Sequence, residues 1–344
     1  MSARHLAVAA LIGVATAAAA QQPFQLDPSF RFPVQTIAVG DVLERPDGNI
    51  IVSGNLRYPT WDTQCSGLLL GPNGAIIPSP AGQPAWYNPM GGRIVPWGAD
   101  MFYVENGMSL RRFWMDGTRD YSFQNPPDPR VGGGQWGDFH IFPDGRILLA
   151  GNFALWDTLH GYVGWQYGLV WLNTNGSLDT TRIHRSIGGP NGAFEHIKQM
   201  PDGKFLLSGG SGFFEGGSVE GMFRVHSDGS LDTSFQVPPI DGWTESGGFL
   251  PQPGGKALAY GRWHFAGSPD TVGLVRFLPN GQLDPTFNNN LNFGSAHANM
   301  PYAHDPMVTH VEPIGDNMLA ITGYFDRING EVHGGITMLD TAGN

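Results

Sequence analysis

Residues 225–235 read VHSDGSLDTSF and residues 277–287 read FLPNGQLDPTF. In each, an apolar residue leads into an Asp-Gly or Asn-Gly pair, followed by Leu-Asp and then Phe. Asp-Gly and Asn-Gly supply the positive φ of a two-residue hairpin turn, so each copy predicts two antiparallel strands. A third copy, LNTNGSLDTT, occupies 172–181, and looser versions are MDGTRDYSF at 115–123 and LLGPNGAII at 69–77. The turn glycines Gly176, Gly229 and Gly281 stand 53 and 52 residues apart. The chain is therefore an internal repeat, and the period constrains the fold before any single element does.

A second signature lies between these copies. Pro46-Asp47-Gly48 precedes NIIVSG, Pro143-Asp144-Gly145 precedes RILLAG, and Pro201-Asp202-Gly203 precedes KFLLSG. Weaker copies are QPGGKALAYG near Pro253, IGDNMLAITG near Gly315 and VPWGADMFYV near Gly98. Each unit has room for about four strands, and few stretches carry a helical signal. Six units of 54 residues fill the 324 that follow residue 20. The expectation is an all-β fold, a six-bladed β-propeller forming a single domain over residues 21–344. The chain stops at MLDTAGN, midway through the turn signature, and QLDPSF at 25–30 supplies the missing half. The N-terminal strand is thus expected to complete the last blade and close the ring, leaving few sheet edges exposed.

The pattern G-x-LD-x-(S/T)-F, followed later by PDGK-(I/F)-LL-x-G-x-F, resembles the delta-60 repeat family of bacterial exported β-propellers. The resemblance is strong in units three to five and poor in unit two, where Trp97 and Ala99 replace the usual turn. It implies fold and export and brings no general activity with it.

Residues 1–20, MSARHLAVAALIGVATAAAA, carry Arg4 and then an apolar stretch from Leu6 to Ala20. That is the layout of a secretory signal peptide with cleavage after Ala20, which predicts a secreted or periplasmic protein. No other stretch approaches the ~20 apolar residues that cross a bilayer. The formal charge is -11, from 19 Lys and Arg against 30 Asp and Glu. Without a basic run, nucleic acid is excluded as a partner. Cys65 is the single cysteine, so no internal disulfide forms. No GxSxG elbow is present.

The repeat allows equivalent positions to be compared. Five residues before the turn proline, the six units carry Asp41, Arg93, Asp138, His196, Gly248 and His310. The next residue is apolar throughout: Val42, Ile94, Phe139, Ile197, Phe249 and Val311. The apolar set suits packing between blades. In a closed ring the first set converges on a channel mouth, where Asp41, Asp138, His196 and His310 offer ligands for one divalent metal ion. Arg93 would then hold an anionic group of the ligand. The alternative is a wet channel that coordinates nothing.

Trp136 and Trp243, just before the inner strand, are candidates for lining the same pocket. Trp61, Trp156, Trp263 and Tyr324 recur after the second strand and offer aromatic platforms for a polysaccharide, or simply core. His140, Glu195, Glu245, Glu312, His297 and His304 are nearby groups able to act as acid or base. The recurring Asp27, Asp179, Asp232 and Asp284 are expected to cap turns locally. Loops at 78–92, 124–137, 154–168 and 288–307 are expected to build the recognition faces. The function expected is an exported binding or interaction module for a polysaccharide, a protein or a small molecule. The alternative is a metal-dependent hydrolase, lactonase-like, working at the channel mouth.

Overall fold

Each proline-led turn closes on itself in the same way. Gly145 has φ 83°, the Gly145 N–H bonds the Phe142 carbonyl at 2.8 Å, and the Asp144 carboxylate accepts the Arg146 N–H at 3.1 Å. Asp47 and Asp202 cap Asn49 and Lys204 identically. These turns set the hairpins from which a computed structural model of the chain is built. It describes residues 28–30, 35–57, 65–78, 92–105, 110–124, 128–187, 192–210, 212–219, 221–240, 245–268, 271–295 and 306–344.

The first sheet runs β1 (Gln35–Glu44), β2 (Ile50–Arg57), β3 (Cys65–Leu70) and β4 (Ile76–Ile77). The second holds β5 (Ile94–Trp97), β6 (Met101–Glu105) and β7 (Leu110–Trp114). The third holds β8 (Val131–Ile141), β9 (Ile147–Asp157), β10 (Tyr162–Leu172) and β11 (Arg185–Ser186). Next come β12 (Phe194–Gln199), β13 (Phe205–Gly209), the small ribbon β14 (Phe213–Phe214) with β15 (Gly217–Ser218), and β16 (Met222–Val225). The fourth sheet is β12-β13-β16. The fifth is β17 (Glu245–Gln252), β18 (Lys256–His264) and β19 (Thr271–Phe277). After β20 (Phe293–Gly294) follow β21 (Met307–Ile314), β22 (Met318–Tyr324), β23 (Arg327–Ile328), β24 (Glu331–Val332) and β25 (Ile336–Asp340). The sixth sheet is β21-β22-β25, and β20-β23-β24 form a small one beside it. Each of the six is an antiparallel meander, the arrangement that short hairpin turns permit.

The core lies between successive sheets. Along β9, Ile147 and Leu149 pack with Tyr103 of the second sheet, whereas Leu148 and Ala150 pack with Phe194 and Phe205 of the fourth. Alternation along a strand thus feeds both faces of one sheet. Leu206 and Phe249 join the fourth and fifth sheets, Leu258 and Ile321 the fifth and sixth, and Ile51 and Ile94 the first and second. Phe30 packs on the remaining face of the first sheet, against Val52, Leu68 and Leu70.

The Leu-Asp aspartates do cap their turns, and they do more. Asp232 accepts the Ser234 N–H at 3.1 Å and the Arg224 Nε–H at 2.7 Å; Asp284 accepts Thr286 at 2.9 Å and Arg276 at 2.8 Å. Asp120 and Arg112 repeat the pair at 2.6 Å. Each guanidinium lies about 5 Å from the motif's phenylalanine and donates onward to a carbonyl of the following unit. Those acceptors are Thr174, Pro279 and Thr341, at 2.6, 2.8 and 2.6 Å. Burial alone would raise the acids, but Lys204 and Lys256 at 2.8 Å, the hydroxyls and the arginines hold Asp232 and Asp284 far below the usual range. The clip fastens one unit to the next, and Arg112, Arg224 and Arg276 were not singled out from sequence. Asp179 caps Thr181 at 3.0 Å, but Trp171 replaces the arginine there. Asp27 lies outside the described residues.

Three expectations are corrected: residues 131–137, expected within a loop at 124–137, belong to β8. Residues 154–168 are not an irregular loop: they are the end of β9, a single 3-10 turn at Thr158–His160, and the start of β10. Val42, unlike its five counterparts, is 54% exposed.

Candidate functional site

Five of the six compared positions share one backbone device. In β1, β8, β12, β17 and β21 the register slips immediately before Asp41, Asp138, His196, Gly248 and His310. A bulge at the same place in five sheets turns the following side chain away from the regular pleat. It also explains the glycine ending NIIVSG, RILLAG and KFLLSG. Opposite the bulge of β12, a Cβ on Gly209 would sit 2.2 Å from the Ala193 carbonyl oxygen.

All six positions line one pocket of about 250 Å³, together with Gly40, Ile197, Lys198, Gly247, Phe249 and Tyr260. The inner strands approach closely there: a Cβ on Gly137 would lie 1.8 Å from the Phe194 carbonyl oxygen.

Asp41 and Asp138 do the same job in different sheets. Asp41 accepts the N–H of Val42 at 2.8 Å and, through its other oxygen, that of Ile94 in the next sheet at 2.8 Å. Asp138 accepts Phe139 at 2.8 Å and Ile197 at 3.0 Å, and also takes an ion pair from Arg93 Nη1. That pairing with Asp138 holds the Arg93 guanidinium firmly charged against the effect of burial.

Gly248 brings no side chain to the pocket itself. It pairs with Tyr260 across β17 and β18, and a Cβ on it would meet the phenolic oxygen at 2.8 Å. The tyrosine fills from the second strand the space other units fill from the first. Burial pushes its pKa up to about 12. One pleat below His196, Lys198 also lines the pocket, and burial followed by the Arg93 charge lowers its pKa. At the equivalent place His140 is held near pKa 4, by burial and then Arg93. His310 is exposed and 3.5 Å from Glu312.

The expected metal set does not fit. Among the described residues, no three His, Cys, Asp or Glu converge to hold an ion. The oxygens of Asp41 and Asp138 are turned to backbone N–H groups, and Arg93 places a cation beside them. Trp243, His297, His304 and Trp61 lie outside the described residues; for Trp136 and Glu245 only the backbone is described, in β8 and β17. Of the remaining aromatics, Trp263 is fully buried, while Trp156 and Tyr324 are exposed. Sequence reasoning missed Lys198 and Tyr260. The signals were a period of two along β12 and a glycine facing a bulky partner.

Two stretches, 201–235 and 254–287, match the model of a family described as a domain of unknown function (DUF5122), beta-propeller. These two stretches are thus similar to β-propeller repeats. The resemblance to delta-60 repeats is not itself established by that match. No curated protein sequence is significantly similar to the chain. Among solved structures it is similar to a protein of unknown function from Bacteroides caccae, at 12% identity and TM-score 0.44, over 86% of this chain and 90% of that one. The extracellular domain of a putative one-component system from B. thetaiotaomicron gives 10% identity and TM-score 0.48, over 92% and 40%. A gluconolactonase from Xanthomonas campestris gives 13% and 0.42, over 89% and 96%. Likeness at this level carries no chemistry across. Among the described residues, no helix is long and apolar enough to cross a membrane.

Proposed function

We propose that the chain is an exported six-bladed β-propeller that binds a small polar ligand in the pocket on its axis. The observation that carries this reading is that the first strands of the first, third, fourth, fifth and sixth sheets, and the residue preceding β5 of the second, all contribute to one pocket. Ring closure is supported by Phe30, which packs on the first sheet as Phe123 and Phe287 pack on the turns Gly176 and Gly343. Export is supported by the composition of residues 1–20. Bulges recur next to functional sites because they re-aim side chains, and here they precede Asp41, Asp138, His196 and His310, which line one space. The pocket is smaller than the roughly 300–1,000 Å³ of drug-sized sites, so the ligand is of monosaccharide size.

A thermal-shift screen of small metabolites tests the reading. A ligand that binds the native state raises the melting temperature with its concentration. Ligands stabilising the wild type are expected to have no effect on His310→Trp, which fills the mouth. Stabilisation undiminished in that variant would place binding elsewhere.

A further inference from the structure

Resting on the axial-pocket reading, we propose that the ligand is a small organic oxyanion held between Arg93 and Lys198. The carboxylates of the pocket already accept: both oxygens of Asp41 and both of Asp138 take backbone N–H groups. The donors are only partly used. Arg93 directs Nη1 to Asp138 and to the Phe139 carbonyl at 3.4 Å, leaving Nη2 and Nε with no partner among the described residues. Lys198 Nζ and the Tyr260 hydroxyl make no hydrogen bond or ion pair among the described residues, yet both residues line the pocket.

Arg93 and Lys198 repel across this small space, Asp138 and Glu312 offset that repulsion in part, and an anion between the two cations removes the rest. A guanidinium fork matches the paired oxygens of a carboxylate or phosphate, and an ammonium adds a freely oriented point charge. The chain as a whole is acidic, with 30 Asp and Glu against 19 Lys and Arg. Its general field therefore disfavours anions, and local attraction must come from these two side chains. The nearby Glu312 faces His310 at 3.5 Å.

The test is calorimetric titration of the whole chain with three probes: glucuronate, glucose and inorganic phosphate. Glucuronate and glucose share a ring and differ in a carboxylate. The expected result is that glucuronate or phosphate binds at least ten-fold tighter than glucose, and that affinity falls as salt rises. Which of the two binds separates a carboxylate from a phosphate ligand. Lys198→Met, which breaks no hydrogen bond, should weaken the anion ten-fold or more with an unchanged melting temperature. Arg93→Gln should do the same even if it is less stable. Glucose binding as tightly as glucuronate, and lost in His310→Trp, would overturn the anion and leave the pocket reading standing. Failure of all three probes to bind would overturn the anion inference, while the metabolite screen judges the pocket separately.

Discussion

Asp138 reaches out of its own sheet to accept the backbone N–H of Ile197 in the next, at 3.0 Å. The same carboxylate caps Phe139 and receives Arg93. A residue that reads in sequence as a metal ligand is thus a strut between neighbouring sheets. Replacing it by alanine orphans two buried N–H groups and a guanidinium. Hydrogen bonds to a charged group contribute about 1.5–3 kcal/mol each, so losing the two backbone bonds in Asp138→Ala should cost about 3–6 kcal/mol in urea unfolding. Asp41→Ala, less buried, should cost about 1–2 kcal/mol by the same reasoning.

The clip between units gives a second expectation. Arg276 joins Asp284, Thr286 and the Thr341 carbonyl, whereas Lys256 reaches Asp284 alone from a more exposed position. Removing one partner of a buried pair costs about 3–5 kcal/mol, and half-exposed pairs contribute about 0–1 kcal/mol. Because Lys256 still faces Asp284, Arg276→Met should fall near the low end, about 3 kcal/mol. Lys256→Met should cost under about 1 kcal/mol. Equal losses in the two variants would contradict the clip.

Acid should loosen the fold before it reaches the carboxylates. His140 and His184 are both held near pKa 4, chiefly by burial, against about 6.5 in an unfolded chain. Both are neutral in the fold, and the unfolded chain binds protons first. Stability is therefore full above about pH 6.5 and declines as pH falls toward 4, by at most about 1.4 kcal/mol per pH unit for each imidazole. Urea midpoints between pH 7 and pH 4.5 should show that decline. His184→Gln, which can still accept the Trp171 N–H, should flatten it.

Chelation should do nothing. With the oxygens of Asp41 and Asp138 committed to backbone and Arg93 beside them, EDTA is expected to leave the melting temperature unchanged, and purified protein should carry no stoichiometric metal. A melting temperature lowered by EDTA and restored by one divalent ion would reverse this conclusion.

The repeat itself was legible because turns have local grammar. Gly145, Gly176, Gly229 and Gly281 each take a positive φ that few residues other than glycine adopt, so the hairpins announce themselves. The convergence of Asp41, Arg93, Asp138, His196 and His310 was also legible, since equivalent places in a repeat share geometry. What those residues bond to was not. Asp41 and Asp138 choose backbone N–H groups in the next sheet, at separations of 53 and 59 residues that no pattern reports. Gly248 looked like a missing side chain because its replacement, Tyr260, comes from a different strand. Trp263 read as platform or core, and it is core because β18 is covered on both faces.

The central claim is that the inner strands of the first and last sheets meet across one pocket. Gly40→Cys combined with His310→Cys tests it directly, since Cys65 is only 1% exposed and stays unreactive. A short bifunctional maleimide should link the two new thiols within one chain, as read by peptide mass spectrometry. Two thiols that each label fully but never cross-link would place β1 and β21 apart and dismantle the pocket.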